Sequence, residues 1–134
     1  MRINNDIETA LYTLLNTDKY SASAHAIPST LGSALPHVHV TRTGGYTNDM
    51  VIEINQVDFD VYAADQADAM TAATEICGWV RELAGKEVGT SCYYSEVMTL
   101  PYNNPDPLHP TLSRATLKAQ ILTRIKEINN AEHN

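Results

Sequence analysis

The sequence predicts an α+β domain in which a mostly antiparallel sheet packs against two main helices. Three observations carry that expectation. Ile7, Ala10, Leu11, Leu14 and Leu15 form one apolar helical stripe, and Ala69, Met70, Ala73, Ile76, Cys77, Val80, Leu83 and Ala84 form another. Between them Val57, Phe59, Val61 and Ala63 alternate with Asp58, Asp60 and Tyr62, a strand period of two. The resulting order is helix, strands, helix, strands. The 134 residues amount to one domain, and a chain of that size buries roughly two thirds of its unfolded surface without a disulfide or metal.

Taken in order, Asn5-Asp6 caps the first helix, which starts near Ile7. Residues 16–36 are small and polar, with two prolines, and read as a long loop holding at most a short helical turn. His37–Thr41 is strand-like, and Gly44-Gly45 then supplies a turn. Met50–Asn55 is a second strand or the start of one, and Val57–Ala63 carries the clearest alternation. Asp65 begins the second helix, with Gly85 placed for a C-terminal cap. Val88–Thr99 is rich in Val, Tyr and Thr and reads as a strand, whereas residues 100–110, with four prolines, read as irregular. Thr116–Ile128 fits a strand and a helix equally. Residues 127–134 read as a flexible tail, frayed from Asn129 onward.

Composition excludes several classes of function. Sixteen acidic against nine basic residues give a formal charge of −7, a surface that repels nucleic-acid phosphates where DNA binders usually carry a basic patch; it serves solubility alone, or faces DNA that must slide past without sticking. No run approaches a membrane span, and the polar start Met1–Asp6 lacks a signal-peptide core, so a cytoplasmic origin is expected. Cys77 and Cys92 have no metal or redox spacing and read as buried thiols. Phosphate-loop, nucleophile-elbow and dinucleotide motifs are all missing, so the sequence gives no sign of an enzyme and implies no cofactor.

Two constellations have alternative readings. His37 and His39 share a strand face and would hold a metal only with further ligands; otherwise they mark a solvated or interfacial face. Asp58 and Asp60, with Glu53 nearby, would form a carboxylate row suited to a divalent cation, or simply the exposed side of an antiparallel sheet. Seven tyrosines against one Trp and one Phe suit either interfaces or cross-strand packing.

Three segments together carry a resemblance: Leu35–Gly45, Val57–Asp65 followed by the Ala-rich helix, and Leu100–Pro105 followed by a basic strand-like end containing Arg114. In this order they resemble tail terminator proteins of siphophages, particularly those of actinobacterial phages, related in fold to the phage lambda terminator. The resemblance implies that Leu117–Ile125 is a strand paired with Val88–Thr99. It implies a homo-hexameric ring in the virion neck that caps the tail tube protein and ends tube polymerisation. Such a ring presents a surface to the head-completion or stopper protein and lets DNA pass without specific binding. Arg42, Gly44, Gly45 and Tyr46, with Pro101, Tyr102, Asn103 and Asn104, would then form subunit and tube contacts. Asp58 and Asp60 would face the lumen. Competing readings are another phage neck protein, a small metal-dependent enzyme using His37, His39 and the acidic strand, and a host-encoded binding module.

Overall fold

The computed structural model describes residues 1–49 and 51–128. Met50, expected in the second strand, and the expected frayed residues 129–134 lie outside the described residues. The fold is α+β. In chain order it comprises β1 (Arg2–Ile3), α1 (Ile7–Leu15), β2 (Ser21–Ala24), a 3-10 turn at Leu31–Ser33, β3 (His37–Asn48) and β4 (Ile52–Ala63). There follow α2 (Gln66–Arg81), β5 (Glu87–Val88), β6 (Thr90–Asn103), β7 (Ser113–Arg124) and β8 (Lys126–Glu127). The main sheet has the order β2-β3-β4-β7-β6-β5, while β1 and β8 pair separately. All pairings are antiparallel except β2 with β3.

Register decides which face is core. Val38 pairs with Val61 and Val40 with Phe59; Phe59 pairs in turn with Leu117, and Val57 with Ala119. These side chains lie on one sheet face and join the buried faces of α1 (Ile7, Leu11, Leu15) and α2 (Ala69, Ala73, Ile76, Val80) in one cluster. Phe59 sits at its centre with Trp79 edge-on at 6.3 Å between ring centroids. Asp6 caps α1 by accepting from the Thr9 N–H, and Asp65 caps α2 by accepting from the Asp68 N–H. No described helix is long and apolar enough to cross a membrane.

Several expectations are corrected. Segment 16–36 is not one loop: Ser21–Ala24 forms a strand along His37–Val40. Its Ser-Ala-Ser-Ala sequence has no apolar alternation to betray it. Gly44-Gly45 is not a turn. β3 passes through a bulge between Arg42 and Gly44 and continues to Asn48, and the chain reverses after Asp49, at φ 52°. Of the two readings of the segment before Val57, the start of a strand holds, since Ile52–Ala63 is one strand, β4. α2 ends at Arg81, four residues before Gly85, whose φ of 86° serves the following turn. Residues 100–103 are strand, not irregular, and Pro101 is tolerated because it falls in the register shift between Thr99 and Tyr102, where it has no ladder partner. The ambiguous C-terminal segment is strand β7, paired with β6. The expected tail begins too early, since Glu127 belongs to β8 and the Ile128 N–H donates to the Met1 carbonyl.

The core placement makes a simple prediction. Phe59→Ala removes the largest apolar side chain at the centre of the cluster and should cost about 3–5 kcal/mol in urea unfolding. Leu108→Ala, at a residue 85% exposed, should change stability by no more than about 0.5 kcal/mol. Comparable losses for the two variants would contradict this arrangement.

Candidate functional site

Because β4 is unbroken, Glu53 and Asn55 fall on the same face as Val57 and Phe59. Both are buried, at 4% and 1% exposure. Glu53 therefore does not join Asp58 and Asp60, which lie on the opposite face. A carboxylate on the core side needs a partner, and Arg42 supplies it. Its Nη2 donates to Glu53 Oε1 at 2.6 Å, to Asn55 Oδ1 at 2.7 Å and to the Asn5 carbonyl at 2.7 Å. The Asn5 N–H donates to Glu53 Oε2, and its side-chain amide donates to the Val88 carbonyl. Asn55 donates further to the Ile121 carbonyl and Thr123 Oγ1. This polar plug ties the start of α1, β3, β4, β5 and β7 together.

Beside the plug, Arg42, Gly44, Gly45 and Tyr46 line a groove of about 230 Å³ with Glu53, Ile54 and Asn55. The predicted first contact group is thus brought together. Gly45 is required there, since its φ is 138° and a Cβ would stand 2.0 Å from the Ile54 carbonyl oxygen. Tyr46 is 65% exposed. It begins an apolar row across the open sheet face, through Ile54 and Leu122 to Tyr94.

The second predicted group, Pro101–Asn104, is not part of this site. Tyr102 pairs with Thr116, six residues along β7 from Leu122 in the Tyr46 row, or about 20 Å at strand spacing. The loop after β6 is anchored by Asp106. Burial would raise the pKa of Asp106. Hydrogen bonds from His109, the Leu108 N–H and Tyr62, with the charge of Arg114, instead hold it down to about 2. Burial pushes Tyr62 up to about 12, so its hydroxyl stays protonated and donates at 2.8 Å. Arg114 binds the carbonyls of Asn104 and Pro105. Leu108 is thereby presented on a fixed loop.

Asp58 and Asp60 share the open face but neither is bare. Lys118 lies 3.0 Å from Asp58, and the Thr116 hydroxyl donates to Asp60 at 2.6 Å. His37 and His39 are buried and their inner nitrogens are taken by serines. Ser21 Oγ lies 2.5 Å from His37 Nδ1, and Ser23 Oγ lies 2.7 Å from both His37 Nε2 and His39 Nδ1. Burial, with His39 adding to it, pushes His37 down to about 4. Burial also pushes His39 down, against Asp60 and Glu8, which raise it. Both ring nitrogens of His37 and the Nδ1 of His39 are thus already engaged by serine hydroxyls. Asp6, Glu8 and His25 also approach one another. The Asp6 oxygens, however, already cap α1, and Glu8 Oε2 accepts the Arg42 N–H at 2.7 Å.

The feature with the greatest extent is the pair of sheet edges. β2 covers β3 only at His37–Val40, and β5 covers β6 only at Thr90–Ser91. The rest of each strand has no described strand beside it. Along β6 this open edge carries Tyr93, Tyr94, Met98, Leu100 and Tyr102, all exposed, with Leu100 at 67%. Composition gave no hint of these edges. Ser21, Ser23 and Asp106 carry no signal in the sequence, and Asn5 and Glu53 are marked there only as a helix cap and as a neighbour of the acidic strand face. The one available signal for the burial of Glu53 and Asn55 was the slip in apolar phase between Ile54 and Val57.

No protein-family model matches the chain, and no curated protein matches it in sequence.

Removing Arg42 alone should strand the Glu53 carboxylate. Arg42→Met is expected to cost about 3 kcal/mol in urea unfolding, with the double variant Arg42→Met/Glu53→Met recovering more than half of the loss. Additive losses would show that the two side chains are not coupled. Gly45→Ala should cost more than about 2 kcal/mol through its clash with the β4 backbone.

Proposed function

We propose that the protein is a structural subunit of a long-tailed phage neck, the tail terminator, and that it works by closing into a homo-oligomeric ring on the end of the tail tube. One observation carries this reading: the sheet has two open edges that run in opposite directions. β3 is antiparallel to β4, β4 to β7 and β7 to β6, so β3 and β6 are antiparallel to each other. Copies placed head to tail would set β6 of one beside β3 of the next in the same antiparallel sense as the rest of the sheet. Such a contact is heterologous, and it yields a ring when the rotation between copies closes.

The surfaces fit that use. Open edges leave backbone donors and acceptors ready for strand addition, and β6 adds exposed apolar and aromatic side chains. A stable contact would bury on the order of 800 Å² per partner. The Arg42–Tyr46 groove and the Pro101–Asn104 end of β6 lie toward opposite ends of the sheet, which suits a ring that meets the tube protein on one side and a head-completion protein on the other. On the face that would line the lumen Lys118 offsets the charge of Asp58, while Asp60, held by the neutral Thr116 hydroxyl, keeps its own. The role requires assembly and no catalysis.

Negative-stain microscopy of the tail tube protein polymerising with and without this protein tests the role. Capped tubes that stop growing are expected, with attachment to isolated tubes rather than to filled heads. Tubes that grow unchanged and stay uncapped contradict it. Met98→Lys/Leu100→Lys should abolish capping while moving stability by no more than about 0.5 kcal/mol, because both side chains are exposed.

A further inference from the structure

The two buried histidines form a hydrogen-bond chain whose direction is fixed by valence. Ser21 Oγ–H donates to the Ala34 carbonyl at 2.6 Å, because a carbonyl only accepts. Ser21 Oγ must therefore accept from His37 Nδ1–H. In a neutral imidazole the other nitrogen is then an acceptor, so the Ser23 hydroxyl donates to His37 Nε2. With its proton used there, Ser23 Oγ accepts from His39 Nδ1–H. The chain runs His39, Ser23, His37, Ser21, Ala34, and both serines belong to β2.

These side-chain bonds are a large part of what holds β2. The strand is four residues long, it is the one parallel pairing of the sheet, and its side chains are small and only partly buried. From these observations we infer that Ser21–Ala24 is an acid-released latch over the upper edge of β3, locked by the neutral imidazole of His37.

His39 can take up a proton without breaking the chain. Its Nδ1–H already donates, and Asp60 and Glu8 favour its charge, although His25 opposes it. His37 cannot follow. A proton on its Nε2 would meet the Ser23 O–H already turned toward it, and Ser23 cannot turn to a His39 nitrogen that is itself a donor. The charge would also be buried beside Tyr62 of β4, whose hydroxyl is held by Asp106 and whose ring lies under Arg114 and against His109. The β4 carboxylate of Asp60 stands opposite His39 and not opposite His37. A histidine kept neutral by folding favours the folded arrangement fully above its ordinary value of 6.5, and the preference is lost as pH falls from there through about 4. Below that window β2 should leave, freeing the β3 edge at His37–Val40.

Hydrogen-exchange mass spectrometry of the full chain from pH 7 to pH 3.5, corrected for intrinsic rates, tests the latch. Peptides covering 21–24 and 37–40 should lose protection at least tenfold on acidification, while 57–63 and 115–121 keep theirs. The midpoint should coincide with the His37 Cε1–H titration followed by NMR. Ser23→Ala should remove protection of 21–24 already at pH 7. Three outcomes overturn the inference. In the first, 21–24 stays protected after His37 has titrated. In the second, all four peptides lose protection together, which means global unfolding. In the third, Ser23→Ala retains 57–63 protection and leaves 21–24 as protected as in the unaltered chain.

Discussion

Backbone N–H and C=O groups along a strand edge need partners, and this chain covers only the ends of its two edge strands. β2 spans a third of β3, and β5 touches two residues of β6. Proteins that remain alone blunt such edges with charge, bulges or covering segments. Some of these devices are present: register shifts along β6, Pro101 within it, and Glu8 accepting the Arg42 N–H on the β3 side. They do not close the edges. Exposed Met98, Leu100 and three tyrosines along β6 add apolar area there.

The Arg42 plug ties β3 to the strands and the helix start beneath it. It sits on the core face below Phe59, where an apolar side chain would have served packing alone. A buried arginine–carboxylate pair is weak evidence for stability, because desolvation offsets much of the Coulombic gain. Its effect here is geometric. One guanidinium nitrogen reaches acceptors on β4 and on the chain entering α1, while Asn55 reaches β7. The same residue borders the Gly44-Gly45 groove, so the position of the β3 edge is coupled to the core. Asp106 has the equivalent role at the far end, fixing the Pro-rich loop to Tyr62.

Much of the fold is legible in the sequence where apolar periodicity is strong. Both helices and the Val57–Ala63 strand follow from it, and Asp6 and Asp65 mark their helix starts. Where polar residues take core positions, the pattern fails for a physical reason. Glu53 and Asn55 break the alternation of β4 because their burial depends on Arg42, a contact no local pattern encodes. β2 is invisible because its pairing rests on backbone and hydroxyl bonds to His37 and His39. β7 fits helix and strand equally until β6 and β4 flank it. Of the candidate site, Arg42 to Tyr46 and Pro101 to Asn104 were selected through a family resemblance. Their separation along the sheet, and the open edges between them, emerge only from topology.

The most direct test is a cryo-electron microscopy map of the protein mixed with the tail tube protein that the proposed role assigns to it, at a resolution that separates strands. A closed ring is expected at the tube end, with β6 of each subunit about 4.8 Å from β3 of the next, making one continuous antiparallel sheet around the lumen. A ring whose β3 and β6 edges both face solvent, or tube ends carrying no ring, would contradict it.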